Sequence, residues 1–275
     1  LYLQAQTWKI MKHNLQRELS GELNTADHIL QMIVDKYDMV LYDFCTDDAM
    51  IELVEDINES EKPSDALKYQ IRRNLAHICN RNEGVEGITL ITESGQVCFY
   101  DKRAASFVST KWANRISVSD IQDQMALYRG SSEVIGEAEH PVHMFQLVRR
   151  LADYRNINRR IGTVILSVDQ SVLWKEIQVS AQSSVYVCES GQIIAAADTK
   201  QIGSSILSKP QRGYRVLQTK NKKTGWDVYH FYETAQFEQM VFTNICIGLG
   251  TLAALMLLSL TLVSLMTGPM LEQVG

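Results

Sequence analysis

The stretch ESGQIIAAAD, residues 189–198, repeats a pattern that occurs earlier in the chain. Glu93–Gln96 carries the same four residues, Glu-Ser-Gly-Gln, ninety-six positions upstream. Each copy lies between two segments rich in β-branched and aromatic residues, and its glycine tolerates the positive φ of a tight turn. Each copy therefore predicts a β-hairpin, and the recurrence predicts two related α+β modules in series.

The first module is predicted to contain a five-stranded antiparallel sheet with helices covering one face. Its strands are predicted at Gly87–Thr92, Gln96–Tyr100, a short segment between Gly130 and Gly136, Val142–Leu151 and Ile161–Val168.

The second module is predicted to be a smaller antiparallel sheet, reached through a linking helix at Asp169–Ile177. Its strands are predicted at Val185–Cys188, Gln192–Ala196, Gly213–Gln218 and Trp226–Tyr232.

Residues 1–45 are predicted to form one long helix. Eight apolar residues recur at separations that alternate between four and three, which keeps them on one helical face. They are Leu19, Leu23, Ala26, Leu30, Ile33, Tyr37, Val40 and Phe44. A helix of about 40 residues is roughly 60 Å long, so it is long enough to support both modules. Its early part also suits a coiled-coil seam between two subunits.

Three shorter helices have recognisable starts. Thr46–Asp48 offers an N-cap for one, and Pro63–Asp65 starts another. Ser119–Gln122 has the capping-box pattern and predicts a short helix through Tyr128.

The chain has no Asp, Glu, Lys, Arg or His from Gln239 to Leu271, and the centre of this run is LAALMLLSLTL, residues 252–262. A helix needs roughly 20 apolar residues to cross the hydrocarbon of a bilayer. The run predicts a transmembrane helix at 235–267, followed by a linker at 268–275, with a buried core helix as the alternative. A first membrane span is predicted before Leu1.

Composition and motifs argue against several classes of function. The net charge of −5 lacks the basic surplus of a nucleic-acid-binding protein. No metalloprotease, phosphate-loop, hydrolase or kinase signature occurs, so no catalytic residue, cofactor or resident metal is predicted for these 275 residues. His140 and His143 beside two glutamates suit either a metal site or a polar loop. Five cysteines form no C-x-x-C pair and are interpreted as free thiols. These are Cys45, Cys79, Cys98, Cys188 and Cys246.

Several short motifs resemble the tandem Cache (PAS-like) sensor region of bacterial membrane receptors. They are residues 189–198 followed by 201–203, the phrase RIGTVILSVD at 160–169, and Gly225–Trp226 before a strand that leads into the last helix. Pro269 resembles the proline that opens a HAMP linker. The order of parts most resembles the YesM-type sensor histidine kinases.

The resemblance implies a membrane-distal module at 46–168, a membrane-proximal module at 169–234, and residues 1–234 outside the cytoplasm. It implies a homodimer in the cell membrane, in contact with lipid, that binds a small solute and signals to a cytoplasmic HAMP–kinase output. A membrane-anchored binding or adhesion module, a chemoreceptor and a diguanylate cyclase are the alternatives. In the family the ligand pocket lies on the distal sheet, beneath the segment between its second and third strands. The corresponding candidates here are Tyr100, Asp101, Trp112, Arg115, Tyr128 and Arg149.

The candidate residues suit a small zwitterion or acid, because aromatic walls with an arginine and a carboxylate would hold opposite charges. The amino-acid-binding version of the fold has an Arg-x-Trp-Tyr cluster in this segment. Here Trp112 stands between Lys111 and Ala113, and Arg115 follows it. The sequence therefore departs from the amino-acid-binding pattern.

Overall fold

A computed structural model describes residues 2–102, 126–135, 142–153, 159–177, 184–208 and 213–272. The helices in these ranges are α1 (Tyr2–Cys45), α2 (Asp48–Glu59), α3 (Asp65–Arg81), α4 (Ser171–Ile177) and α5 (Thr234–Glu272). The strands are β1 (Val85–Thr92), β2 (Val97–Asp101), β3 (Ala126–Ile135), β4 (Val142–Ala152), β5 (Arg160–Asp169), β6 (Ser184–Glu189), β7 (Gln192–Ala195), β8 (Tyr214–Lys220) and β9 (Asp227–Glu233).

The strands form two antiparallel sheets. The first has five strands in the order β2-β1-β5-β4-β3, and the second has four in the order β7-β6-β9-β8. Both predicted hairpins are present. Gly95 has φ of +83°, and the second hairpin turns through Ser190 and Gly191, which both have positive φ. The α+β class, the long first helix and the two antiparallel sheets are thus confirmed.

The long helix α1 buries one stripe from Leu19 to Cys45, as predicted, but with a different register in its second half. Val34 and Leu41 are fully buried there, whereas Ile33 only packs at the edge of the core. Strict alternation of three and four residues has a period of 3.5, and a straight helix has 3.6, so the buried positions drift by one residue over several turns.

One hydrophobic core joins α1 to both sheets. The ring of Phe145 on β4 packs edge-on against Tyr37 of α1 at 6.1 Å and against Trp226, which precedes β9, at 6.0 Å. Trp226 is 1% exposed. The Tyr37 hydroxyl also donates to the Glu83 carbonyl at 2.7 Å, which ties α1 to the segment before β1.

The two predicted caps are present. Asp47 accepts a hydrogen bond from the Met50 amide at the start of α2, and Ser64 accepts one from the Leu67 amide at the start of α3. The helix predicted through Tyr128 is wrong at its end, because Tyr128 lies in β3, opposite Leu147 of β4. Cross-strand pairing of β3 with β4 outweighs the local capping signal there.

Helix α5 begins at Thr234, directly after β9 ends at Glu233. Apolar side chains in the described part of this helix are exposed, including Leu252 at 54%, Leu255 at 67% and Leu258 at 60%. Among the described residues, no helix meets the combined length and hydropathy of a membrane-spanning segment.

Candidate functional site

The five-stranded sheet has an inner face that packs on helices and an opposite, outer face. Helices α1, α2 and α3 contact the inner face, where Leu90, Val164 and Leu166 belong to the main core. Side chains alternate along a strand, so the neighbours of these residues point to the outer face. The register pairs Gln146 of β4 with Ser167 of β5 on that outer face.

Buried polar side chains occupy the outer face. Gln146 and Thr89 are each 3% exposed, Thr163 is 2% exposed and Ser167 is 4% exposed. Arg150, half-buried, lies directly across from Thr163. Between these polar positions is a small apolar centre, formed by Val148 and Ile165 with Ile91 and Leu127 at its edge. The outer face thus combines hydroxyls, an amide and a guanidinium around an apolar patch.

The side-chain amide nitrogen of Gln146 is buried and has no hydrogen-bond partner among the described residues. A buried donor without a partner costs about 1–3 kcal/mol, so such a group is normally satisfied by a ligand, water or another residue. Ligand sites have this composition: an apolar surface with a few polar groups that fix orientation. The outer face is therefore the candidate binding surface of this chain.

The six residues predicted for the ligand site lie in different places. Trp112 and Arg115 lie outside the described residues. Asp101 on β2 is opposite Gly87 and so belongs to the outer face, at the edge of the sheet. Tyr100 points to the inner face, where its hydroxyl accepts a hydrogen bond from the Asn80 side chain at 3.4 Å.

Tyr128 and Arg149, the remaining two, come together on the inner face at Asp38 of α1. The Arg149 guanidinium is 2.9 Å from one carboxylate oxygen of Asp38, and the Tyr128 hydroxyl donates to the other at 3.3 Å. Burial, followed by the Asp38 charge, raises the pKa of Tyr128. These two residues therefore connect the sheet to α1.

A lysine from the second sheet completes the same cluster. Lys223, in the turn between β8 and β9, contacts Asp38 at 2.8 Å and also pairs with Asp35 one turn earlier. Burial opposes its charged form, but the hydrogen bonds to Asp35 and Asp38 raise the pKa of Lys223 overall. We call this cluster the Asp38 junction; it consists of Asp35, Asp38, Tyr128, Arg149 and Lys223. This junction fastens both sheets to the middle of α1.

A second direct contact joins the two sheets. The Gly130 amide of β3 donates to the Glu189 carboxylate of β6 at 2.7 Å, and Arg129 lies 3.6 Å from the same carboxylate. A Cβ at Gly130 would lie 2.3 Å from the Ile194 side chain. Glycine is therefore required for this close approach.

Of the outer-face residues, sequence reasoning named Asp101 and missed the others, although a signal for them exists. Gln146 and Arg150 are four residues apart in β4, and so are Thr163 and Ser167 in β5. Polar residues at an even spacing share one face of a strand. Asp38 had no such signal, because a single aspartate on a long helix is usually solvated.

No protein-family model matches the chain, and no curated protein matches it. Solved structures do match in fold. The sensor domain of the Vibrio cholerae histidine kinase DctB has a TM-score of 0.59 at 9% identity, over 80% of this chain and 98% of that one. The extracellular domain of the putative histidine kinase soHK1S-Z6 has 0.53 at 11%, over 86% and 99%.

The ligand-binding domain of the Campylobacter jejuni chemoreceptor Tlp3, in complex with L-valine, has a TM-score of 0.56 at 8% identity, over 82% of this chain and 95% of that one. The matches thus include both histidine kinases and chemoreceptors and extend over nearly the whole of these domains. The chain therefore shares the fold of the extracellular sensor domains of histidine kinases and chemoreceptors, as the Cache resemblance predicted.

Proposed function

We propose that this chain is the extracytoplasmic sensing and transmembrane region of a bacterial two-component sensor histidine kinase. A small solute binds the outer face of the five-stranded sheet, and α5 crosses the membrane towards a HAMP–kinase output. The uncharged run from Gln239 to Leu271 and the apolar side chains exposed around α5 support the membrane role. Residues 1–234 then lie outside the cytoplasm, and lipid surrounds α5.

The observation that carries the binding proposal is the buried amide of Gln146, without a partner among the described residues and beside Thr163 and Ser167. Polar groups are not buried at random, because each costs free energy unless a partner satisfies it. The hydroxyls and the amide supply donors and acceptors, and Arg150 supplies a positive charge on the same face.

The ligand class that best fits this face is a small carboxylate, either an organic acid or an amino acid. A guanidinium recognises a carboxylate through paired hydrogen bonds, and the apolar centre at Val148 and Ile165 suits a short carbon chain. Fold neighbours named as chemoreceptors were solved with L-valine, with GABA and with L-arginine. The missing Arg-x-Trp-Tyr cluster around Trp112 favours an organic acid over an amino acid.

Neighbouring residues of one strand offer a route from the ligand to α1. Arg150 faces the outer surface, whereas Arg149 faces inward and binds Asp38. A ligand that shifts β4 by a fraction of an ångström would therefore displace the Asp38 junction. Such a displacement transmits a signal only when the ligand binds one of two states more tightly.

A chemoreceptor output is the second candidate, because chemoreceptor ligand-binding domains match the fold as well as kinase domains do. The binding proposal is the same for both outputs, and so is the proposed homodimer. A cytoplasmic segment with a phosphorylatable histidine would support the kinase, and one with a long methylation-type coiled coil would support the chemoreceptor.

The test is a thermal-shift screen of the full chain in detergent micelles against organic acids, amino acids, sugars and short peptides. Binding to the folded state raises the melting temperature, so one chemical class should raise it in a concentration-dependent way. The increase should disappear in Gln146→Leu and remain in Gln70→Leu, a matched change at an exposed position of α3. The proposal is wrong if no compound raises the melting temperature, or if the increase survives in Gln146→Leu.

A further inference from the structure

His230 is a buried histidine at the centre of β9. Its side chain has no exposed surface, and neither ring nitrogen forms a hydrogen bond among the described residues. The nearest charged atom is a carboxylate oxygen of Glu22 on α1, 3.7 Å from Nε2. That distance is too long for a hydrogen bond and short enough for a strong charge interaction.

The surroundings of this ring are mostly apolar. On the neighbouring strands, Val185 of β6 and Leu217 of β8 lie directly opposite His230. Helix α1 contributes Glu22 and, one turn earlier, Glu18, whose charge acts on Glu22.

Two further groups complete the surroundings of His230. On β9 itself the Tyr232 ring lies 6.4 Å away, and Arg215 of β8, opposite Tyr232, is exposed to solvent. Among the described residues, the charged group poised to interact with a protonated imidazole is therefore Glu22, and the Leu19 backbone carbonyl also favours the protonated form.

Burial sets the protonation states at neutral pH. It lowers the pKa of His230 below the usual 6.5, opposed by the nearby Leu19 carbonyl. Burial, and then the charge of Glu18, raises the pKa of Glu22 above 4.5. Attraction between the two charges would raise the pKa of His230 and lower that of Glu22. Burial outweighs this attraction, because the ring is completely buried and the two groups are not within hydrogen-bond distance. At neutral pH His230 is therefore neutral, and on acidification the two groups titrate as a coupled pair.

We propose that His230 and Glu22 form a proton-binding site, a second input through which acidification acts on the contact between α1 and β9. The site lies outside the outer face of the five-stranded sheet, so it does not depend on a solute binding there.

The proposed consequence of protonation is a small movement of α1 towards β9. A charged Nε2–H would donate to the Glu22 carboxylate, and such bonds are about 2.8 Å long. The present separation is 3.7 Å, so the gap must shrink by about 1 Å, which pulls the Glu22 side chain and the turn of α1 that carries it towards β9. His230 is four residues before Thr234, where α5 begins, so the movement occurs at the base of the proposed membrane helix.

The two shifts have opposite effects on stability as pH changes. Because the pKa of His230 is lowered by folding, its contribution is complete above about pH 6.5 and is lost as pH falls through the folded value. Glu22 has a raised pKa, so its contribution is present below about pH 4.5 and is lost as pH rises through the folded value. The stability of the folded chain should therefore decrease as pH falls below about 6.5, down to the folded pKa of His230.

The test is a histidine NMR titration of the full chain, labelled at the imidazoles and held in detergent micelles, between pH 4.5 and 7.5. The His230 resonance is the one missing in His230→Gln. Its midpoint should lie below those of exposed histidines, and Glu22→Gln should lower it by about a further half unit or more, because a nearby negative charge is removed. His28→Gln, at an exposed position of α1, should leave it unchanged.

Should His230→Gln not fold, the His230 resonance is instead the one whose midpoint falls in Glu22→Gln and not in His28→Gln. Glu22→Gln should fold, because the Glu22 side chain is 26% exposed and the neutral amide is nearly isosteric. The proposal is overturned if the His230 resonance does not titrate in this range, or if Glu22→Gln leaves its midpoint unchanged. Either outcome is independent of the ligand screen, which tests the other sheet.

Discussion

Asp38 is the residue at which three elements outside α1 meet. It receives Arg149 from β4, Tyr128 from β3 and Lys223 from the second sheet, and only 18% of its side chain is exposed. Removing one partner of a largely buried ion pair is costly, because the remaining charges stay buried without compensation. The Asp38 junction is therefore both a structural fastening and the proposed route of the signal.

Asp38→Asn should destabilise the folded chain by about 2–4 kcal/mol, because Arg149 loses its buried counter-charge and Lys223 keeps only Asp35. The measurement is urea unfolding monitored by circular dichroism. Asp43→Asn, at an exposed position on the same helix, is the control and should change stability by less than about 0.5 kcal/mol. Equal effects of the two substitutions would contradict the buried junction.

Gly130→Ala should destabilise the chain by about 1–3 kcal/mol, because the new methyl group would lie 2.3 Å from Ile194. Gly21→Ala is the matched control. Nothing lies within 4 Å of its added Cβ, so on an exposed helical position it should stabilise by about 0.5–1 kcal/mol. Combining Gly130→Ala with Ile194→Ala should recover part of the loss. Urea unfolding of Gly130→Ala, Gly21→Ala and the double variant measures these changes in stability.

The four thiols in the two modules should be unreactive in the folded chain. Burial raises the pKa of Cys45, Cys79 and Cys188 to about 12 and also raises that of Cys98. The thiolate is the reactive form, and it is almost absent at pH 8. A thiol-specific dye should leave all four unlabelled at pH 8 and label them after denaturation. Labelling of the folded chain at any of the four, detected by mass spectrometry, would contradict this burial.

Hydrophobic periodicity predicts that α1 is a helix, but it does not predict every buried position along it. Its length and its stripe follow from the sequence alone, since eight apolar residues on one face exclude a strand or a loop. The sequence could not decide between Ile33 and Val34, because both are apolar and adjacent. The choice depends on the helix twist accumulated over several turns and on the sheets that pack against it.

Val34→Ala should therefore cost about 2 kcal/mol, and Ile33→Ala less than about 1 kcal/mol, because only Val34 is fully buried. Met32→Ala, at a position 56% exposed, is the control and should have almost no effect. Urea unfolding measures all three. The reverse order would mean that α1 is rotated by about one residue from the position described here.

Local sequence patterns also predicted the strands, whereas they did not predict which face of the sheet binds a ligand. Glycine turns and β-branched runs locate β1, β2, β6 and β7 closely. Which face of a strand binds a ligand, however, depends on what packs on the other face, and that is a property of the folded sheet. Tyr128 and Arg149 have the chemistry of ligand contacts, but they lie on the face towards α1.

The two sheets belong to one cooperative folding unit. The core extends without interruption from Tyr37 through Phe145 to Trp226, and the Asp38 junction adds polar contacts between the same parts. Two modules that share a core cannot unfold one at a time without exposing it. The sequence repeat predicts two modules but contains no information on whether they unfold together.

Calorimetry of the chain should show one unfolding transition for both sheets, with calorimetric and van't Hoff enthalpies in agreement. Phe145→Ala should shift that single transition downwards, with a loss of about 3–5 kcal/mol, because it removes the ring between Tyr37 and Trp226. Phe99→Ala, at a side chain that is 38% exposed, serves as the control. Two separate transitions in the unmodified chain would show that the sheets are independent.

Because β9 leads directly into α5, the rotation of α5 about its own axis is fixed relative to the second sheet. Thr234 is held to the Gly213 carbonyl through both its amide and its hydroxyl, each at 2.9 Å. Each residue inserted after it would rotate everything downstream by about 100° and advance it by about 1.5 Å. Insertions of about seven or about eleven residues, two or three turns, return the helix to within about 20° of its original orientation. The signalling state of the protein should therefore vary periodically with insert length at this point, so receptors that share this junction should tolerate length changes here only in such steps.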